Sequence, residues 1–276
     1  MKHLNKQHLL AMAAVFFAAV FVFSAVMLYR EYHDQKQSAE AFDNIAALVQ
    51  TEPIVPEESD AAAAETGTTE ENEPAGPSAY ETYSAVYEQN QDFVGWISIE
   101  GTNIDYPVMQ TPDNPDFYLK HGFDKAYSAY GVPYVQENCV LGQSDNLVIY
   151  GHHMNDGSMF ADLCRYTDQD FYEEHKTIRF DTLSEFGEYA VVAVFKTVAY
   201  SEDGFKYYLF VDGSEEDFDN YIATCKALSL YDTGATAEYG DKLITLATCE
   251  YSRTNGRMVI VAKKIASPTG QVNPDA

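Results

Sequence analysis

Cys249 closes an apolar, β-type run at 242–248 (KLITLAT), and the segment TCEYSRTNGRMV places two guanidinium groups, Arg253 and Arg257, within eight residues of its sulfur. A thiol at a strand end beside a fixed cation has the electropositive, partly exposed setting that favours the thiolate, the nucleophilic form. A cysteine nucleophile also needs a proton donor for its leaving amine, and imidazole has the pKa for that task. Of the seven histidines, His3 and His8 precede a long apolar run, His33 follows it, and His121 and His175 lie in polar connections. His152 and His153 are placed differently, because they terminate the run NLVIYG. Adjacent residues on an extended chain face opposite sides, so only one of the two can address the thiol. Taken alone the pair reads as two solvated loop residues; beside a strand-end cysteine and a near arginine it reads as acid/base machinery.

The other cysteines lack that setting. Cys225 falls in a helical apolar stripe and Cys164 in FADLCRY, where each reads as a small core residue. Cys139, in QENCVLG, lies between strands, and sequence does not choose among disulfide connectivities for these three. No C-x-x-C pair or liganding cluster demands a metal, and no cofactor is expected.

The elements that must carry these groups are short. Runs at 94–99, 104–108, 131–135, 146–150, 177–180, 188–200, 242–248 and 258–263 are rich in Val, Ile, Tyr and Thr and separated by Gly, Asp, Asn and Pro. Eight short strands with few helices predict a closed barrel or a sandwich. Tyr80, Tyr83, Val86 and Tyr87 recur at helical spacing over 79–90. A second helix starts at Ser214, where S-E-E-D has capping-box form, and Phe218, Tyr221, Ile222, Cys225 and Leu228 form its apolar stripe. Asn255-Gly256 is the strongest hairpin signal in the chain, but a two-residue turn there would pair Cys249 with Ala262 and carry Arg257 to the other face. For the guanidinium to reach the sulfur, 250–256 must form a loop, with Arg257 starting the last strand opposite Cys249 and Arg253 left as a solvated cation. The loop is the arrangement expected.

The formal net charge is −26, which excludes a nucleic-acid binder dependent on a basic face. Seventeen of the acidic residues lie between Lys36 and Lys120, an interval with no Lys or Arg. Before it, residues 9–29 carry no charge and at ~1.5 Å rise per residue would form a helix long enough to cross a bilayer. The run is longer than a signal peptide's apolar core and ends in bulky Met27, Leu28 and Tyr29, so it reads as an uncleaved anchor. Lys2 and Lys6 before it predict residues 1–8 inside the cell and residues 30–276 outside. Residues 30–78 read as a stalk and acidic linker, 79–266 as one catalytic domain, and 267–276 as a tail.

The motifs T-L-A-T-C at 245–249, N-G-R-M-V ending at Val259, Y-G-H-H-M at 150–154 and D-G-S-M-F at 156–160 together resemble the class B sortases over about residues 79–265. The resemblance implies a mainly β fold: an eight-stranded sortase-type β-barrel with an N-terminal helix and a long helix before the last two strands. It also implies a membrane-tethered cysteine transpeptidase outside a Gram-positive cell. Carried over, Cys249 is the nucleophile, His152 the general acid/base and Arg257 the group that steadies the substrate carbonyl or oxyanion. The implied partners are the sorting-signal peptide of a secreted protein, an amine from a peptidoglycan precursor or a pilin, and membrane lipid around the N-terminal helix. Ala247 departs from the Ser common at that position, which removes a hydroxyl near the site but no catalytic group. The alternatives are a cysteine endopeptidase, with water as acceptor, and a non-catalytic anchored binding barrel.

Overall fold

The computed structural model describes residues 6–49, 77–202 and 204–265. The N-terminal residues 1–5, most of the acidic linker and the tail lie outside these. The chain divides into two compact units, residues 1–43 and 44–276. The first is built on α1 (Lys6–Ala46), a helix of 41 residues. Its sequence is rich in Ala and free of Gly and Pro, so nothing in it breaks the hydrogen-bond ladder. From Leu10 onward the helix is long and apolar enough to cross a membrane. The span and stalk expected as separate pieces are continuous through Ala46.

The second unit is a closed barrel. Its strands are β1 (Phe93–Ser98), β2 (Asp105–Met109), β3 (Tyr134–Val135), β4 (Asn146–Tyr150), β5 (Thr177–Thr182), β6 (Glu188–Val198), β7 (Leu243–Glu250) and β8 (Gly256–Ile265). They close in the order β1-β2-β3-β4-β7-β8-β6-β5. Two pairings are parallel, β2 with β3 and β4 with β7. A parallel pair needs a crossover, and the one between β4 and β7 carries β5, β6 and helices α3 (Gln169–Glu174) and α4 (Glu215–Leu228). The strand expected over 131–135 is only two residues long. Gly131 has φ +61 and Pro133 has no N–H to give a ladder, although its carbonyl still accepts from Met109.

α2 (Ala79–Gln89) and α4 both start with a complete capping box, Ser78 with Glu81 and Ser214 with Asp217. On α4 the expected stripe holds for Phe218, Tyr221, Ile222 and Cys225, which are buried, whereas Leu228 in the last turn is exposed. Tyr221 shares a 2.8 Å hydrogen bond with the Thr245 hydroxyl, which in turn donates to Asn146 at 2.8 Å. This buried chain ties α4 to one face of β7 and to the start of β4. Leu246 and Ile260, register partners on β7 and β8, project to the opposite face and are fully buried. β7 is thus apolar on both faces, which is why its sequence reads as a continuous run rather than an alternation.

Candidate active site

The last two strands bring the first two expected groups together. Cys249 on β7 and Arg257 on β8 are direct register partners, and Glu250 pairs with Gly256. Partners in a ladder share a face, so sulfur and guanidinium emerge side by side. Residues 251–255 form the expected loop, with Asn255 at φ +55, and Arg253 lies exposed within it. The loop is held by Glu250, whose buried carboxylate accepts from the Ser252 N–H at 3.1 Å, the Ser252 hydroxyl at 2.7 Å and Lys196 Nζ at 3.0 Å. Burial works to raise the Glu250 carboxyl, but these donors outweigh it and hold the group below the usual carboxylate range. β8 is held in the Cys249–Arg257 register by its pairing with β6 as well as with β7, which overrides the two-residue turn that Asn-Gly favours locally.

His152 arrives from the other side. Tyr150 on β4 partners Ala247 on β7, and the Gly151 N–H continues the parallel ladder to the Ala247 carbonyl at 3.2 Å. Carried two residues further, that register would set His152 opposite Cys249; the paired strand itself ends at Tyr150. A side chain at Gly151 would put its Cβ 2.6 Å from the buried Phe160 ring, so only glycine fits there. His152 Nε2 lies 2.7 Å from the Leu119 carbonyl. A carbonyl only accepts, so Nε2 carries the proton, and in the neutral ring Nδ1 holds the lone pair. Burial lowers the His152 pKa; the Leu119 hydrogen bond works against this and the Lys120 charge adds to it. The D-G-S-M-F segment folds the chain back over the site. Asp156 accepts from the Ser158 N–H at 2.9 Å, and the Phe160 N–H donates to the His152 carbonyl at 2.8 Å.

His153 takes a different direction. Its Nδ1 donates to the Cys249 carbonyl at 3.0 Å, and its ring stacks edge-on against Tyr251. Cys164 corrects the core assignment made from sequence: it is half-buried, with Sγ 3.3 Å from His153 Nδ1 and 3.7 Å from the Cys249 carbonyl. The helical turn 161–167 carries it to the end of β7, which the apolar flanks of FADLCRY do not reveal. Burial pushes its thiol up to about 11, so it is protonated at neutral pH. Cys139 and Cys225 are buried, and all four cysteines are free thiols.

Sequence reasoning missed the tyrosines that flank this face. Tyr150 and Tyr134 rings sit 5.5 Å apart, Tyr150 donates to the Gln136 side chain, and Gln136 Nε2 donates to the Tyr208 carbonyl at 3.0 Å. Burial raises the neighbouring Tyr207 hydroxyl, the Arg257 cation draws it back and Cys249 adds to the rise, so all three groups share one neighbourhood. The alternation Tyr150-Gly-His152 could have pointed to Tyr150; the Leu119 carbonyl, a main-chain group, has no sequence signal. Among the described residues no group of His, Cys, Asp or Glu could hold a metal ion.

A family described as the Sortase domain matches residues 97–265. The chain is 37% identical to Sortase B of Listeria monocytogenes over 182 residues, 64% of this chain and 71% of that protein. A Staphylococcus aureus sortase B–substrate complex superposes with a TM-score of 0.62 at 31% identity, covering 67% of this chain and 85% of that one. A sortase B complexed with triglycine gives 0.62 at 31% identity, over 68% and 87%.

Proposed function

Since the chain belongs to the sortase family, whose members are cysteine transpeptidases, we propose that it cleaves a sorting motif in a secreted protein and passes the acyl group to an amine, with Cys249, His152 and Arg257 as its catalytic residues. The observation that carries this reading is the direct pairing of Cys249 with Arg257 on neighbouring strands, with His152 two residues past the end of the β4 strand that pairs with β7.

His152 Nδ1 takes the Cys249 thiol proton, the resulting thiolate attacks the scissile carbonyl carbon, and the oxygen that gains charge is steadied by the Arg257 guanidinium. The C–N bond breaks as His152 gives the leaving amine a proton. Nδ1 is the nitrogen free to carry it, because Nε2 is committed to Leu119. A thioester on Cys249 results. An acceptor amine then attacks that thioester, its proton passes to Nδ1, and the thiolate leaves, so one amide is exchanged for another without ATP. The relatives seen with substrate and with triglycine support a peptide donor and an amine acceptor for this site. A cell-wall precursor or a pilin lysine would supply that amine. With α1 crossing the membrane and Lys2 and Lys6 inside, the barrel would work on the outer surface.

The test is to incubate the protein with a pentapeptide library and map adducts by mass spectrometry. A thioester confined to Cys249, released as hydroxamate by hydroxylamine, is the expected result. Release of free acid at the same rate with and without hydroxylamine would instead assign an endopeptidase.

A further inference from the structure

The His-His pair leaves one imidazole with no part in the chemistry above. The parallel ladder between β4 and β7 runs out after Gly151, and the next donor in line for the Cys249 carbonyl would have been the main-chain N–H of residue 153. The chain has turned away there to bridge Met159. The His153 side chain takes over the vacated place, with Nδ1 3.0 Å from that carbonyl. Cys164 Sγ adds a weaker donor at 3.7 Å. A return bond completes the tie, from the Tyr251 hydroxyl to the His153 carbonyl at 3.1 Å, with the two rings 4.9 Å apart. Residue 153 is thereby fastened to both 249 and 251, at the point where β7 would otherwise fray.

We propose that His153 is a positioning residue, which holds the Cys249 backbone against the segment carrying His152 and so fixes the distance between thiol and acid/base imidazole. This rests on the roles given above to Cys249 and His152. His152 is one residue from the anchor and cannot drift from Cys249 without breaking the Nδ1 bond. The requirement is a hydrogen-bond donor at the δ position, not a titrating ring. Asn supplies one, since its Nδ2 is as many bonds from the backbone as His Nδ1, and Leu does not.

The experiment uses the full chain in detergent, as wild type, His153→Leu, His153→Asn and His152→Gln. The pH–rate profile of iodoacetamide alkylation at Cys249 is read by peptide mapping, which separates it from Cys164. In the wild type the profile carries an inflection from the neighbouring imidazole, which His152→Gln removes. His153→Leu is expected to reproduce the His152→Gln profile and His153→Asn the wild-type one. With the pentapeptide that best acylates Cys249, His153→Leu should lose roughly 10- to 100-fold in kcat at an unchanged KM, because misplacement by about 1 Å costs on that order. His153→Asn should recover most of that loss. A His153→Leu profile that matches wild type overturns the proposal, as does an Asn variant as impaired as Leu, which would make the ring a proton carrier. A wild-type profile already like that of His152→Gln would remove the thiol–imidazole pair itself, and the inference would fall with the reading it rests on.

Discussion

Gly131 packs against the carbonyl that holds the His152 imidazole, and replacing it by alanine gives a measurable consequence. It has φ +61, and an added Cβ would lie 2.4 Å from the Tyr118 carbonyl oxygen and 2.9 Å from that of Leu119. The second of these oxygens accepts the His152 Nε2–H bond at 2.7 Å. Gly142 provides the reference, because it has φ +74 and a methyl added there would meet nothing within 4 Å. At Gly142 alanine costs only the left-handed backbone penalty, about 1–2 kcal/mol. At Gly131 the same penalty applies, and in addition the carbonyls must retreat by on the order of 0.5–1 Å to restore van der Waals contact. A shift of that size stretches a 2.7 Å bond to the limit of a useful hydrogen bond. Gly142→Ala should therefore lower the Tm by roughly 2–8 °C and leave turnover intact, using about 2–4 °C per kcal/mol for a domain of this size. Gly131→Ala should lower the Tm further and cost roughly 10-fold or more in kcat, by loosening His152. Thermal unfolding and peptide turnover below the transition measure both. Equal activity in the two variants, with Gly131→Ala as stable as Gly142→Ala, would refute the link from Gly131 through Leu119 to His152.

The pH dependence of His152 and the clamp on the final loop give two more outcomes. His152 has a folded pKa below its ordinary value, so its contribution to stability is complete above that ordinary value, near 6.5, and is lost as pH falls through the folded pKa. An NMR titration should place the ring's pKa below 6.5, and Lys120→Gln, which removes an exposed opposing charge, should raise it at low salt and less at high salt. Lys196→Met leaves the buried Glu250 carboxylate with Ser252 as its remaining donor among the described residues and should cost about 1–3 kcal/mol in chemical denaturation.

Much of the barrel follows from short-range patterns. Alternation and β-branched runs located β1, β2, β4 and β5 to β8 to within a few residues, and Ser214 with Asp217 announced α4 through capping that requires only local geometry. The setting that makes Cys249 the proposed nucleophile is also readable along the chain, as a cysteine between an apolar run and two arginines. Strand pattern alone left barrel and sandwich open, because closure depends on which edges meet, and it was the motif resemblance that pointed to the closed barrel the structure has. The loop at 251–255 could be argued only from the need to bring Arg257 to Cys249; the Asn-Gly signal points locally the other way, and the β6–β8 pairing that overrides it comes from a strand distant in sequence.

The residues alone fixed the chemistry on offer: one thiol, two candidate imidazoles, two guanidiniums, and an apolar helix ahead of them long enough for a membrane. Tertiary structure decided which of these meet. The β4–β7 pairing carries Gly151 onto the Ala247 carbonyl, the chain beyond it turns His153 onto the Cys249 carbonyl, and Cys164 comes to lie beside that imidazole. The physical reason is that side-chain type and alternation act within a few residues, whereas parallel pairing across a long crossover is chosen by the burial of whole faces, which no local segment can report.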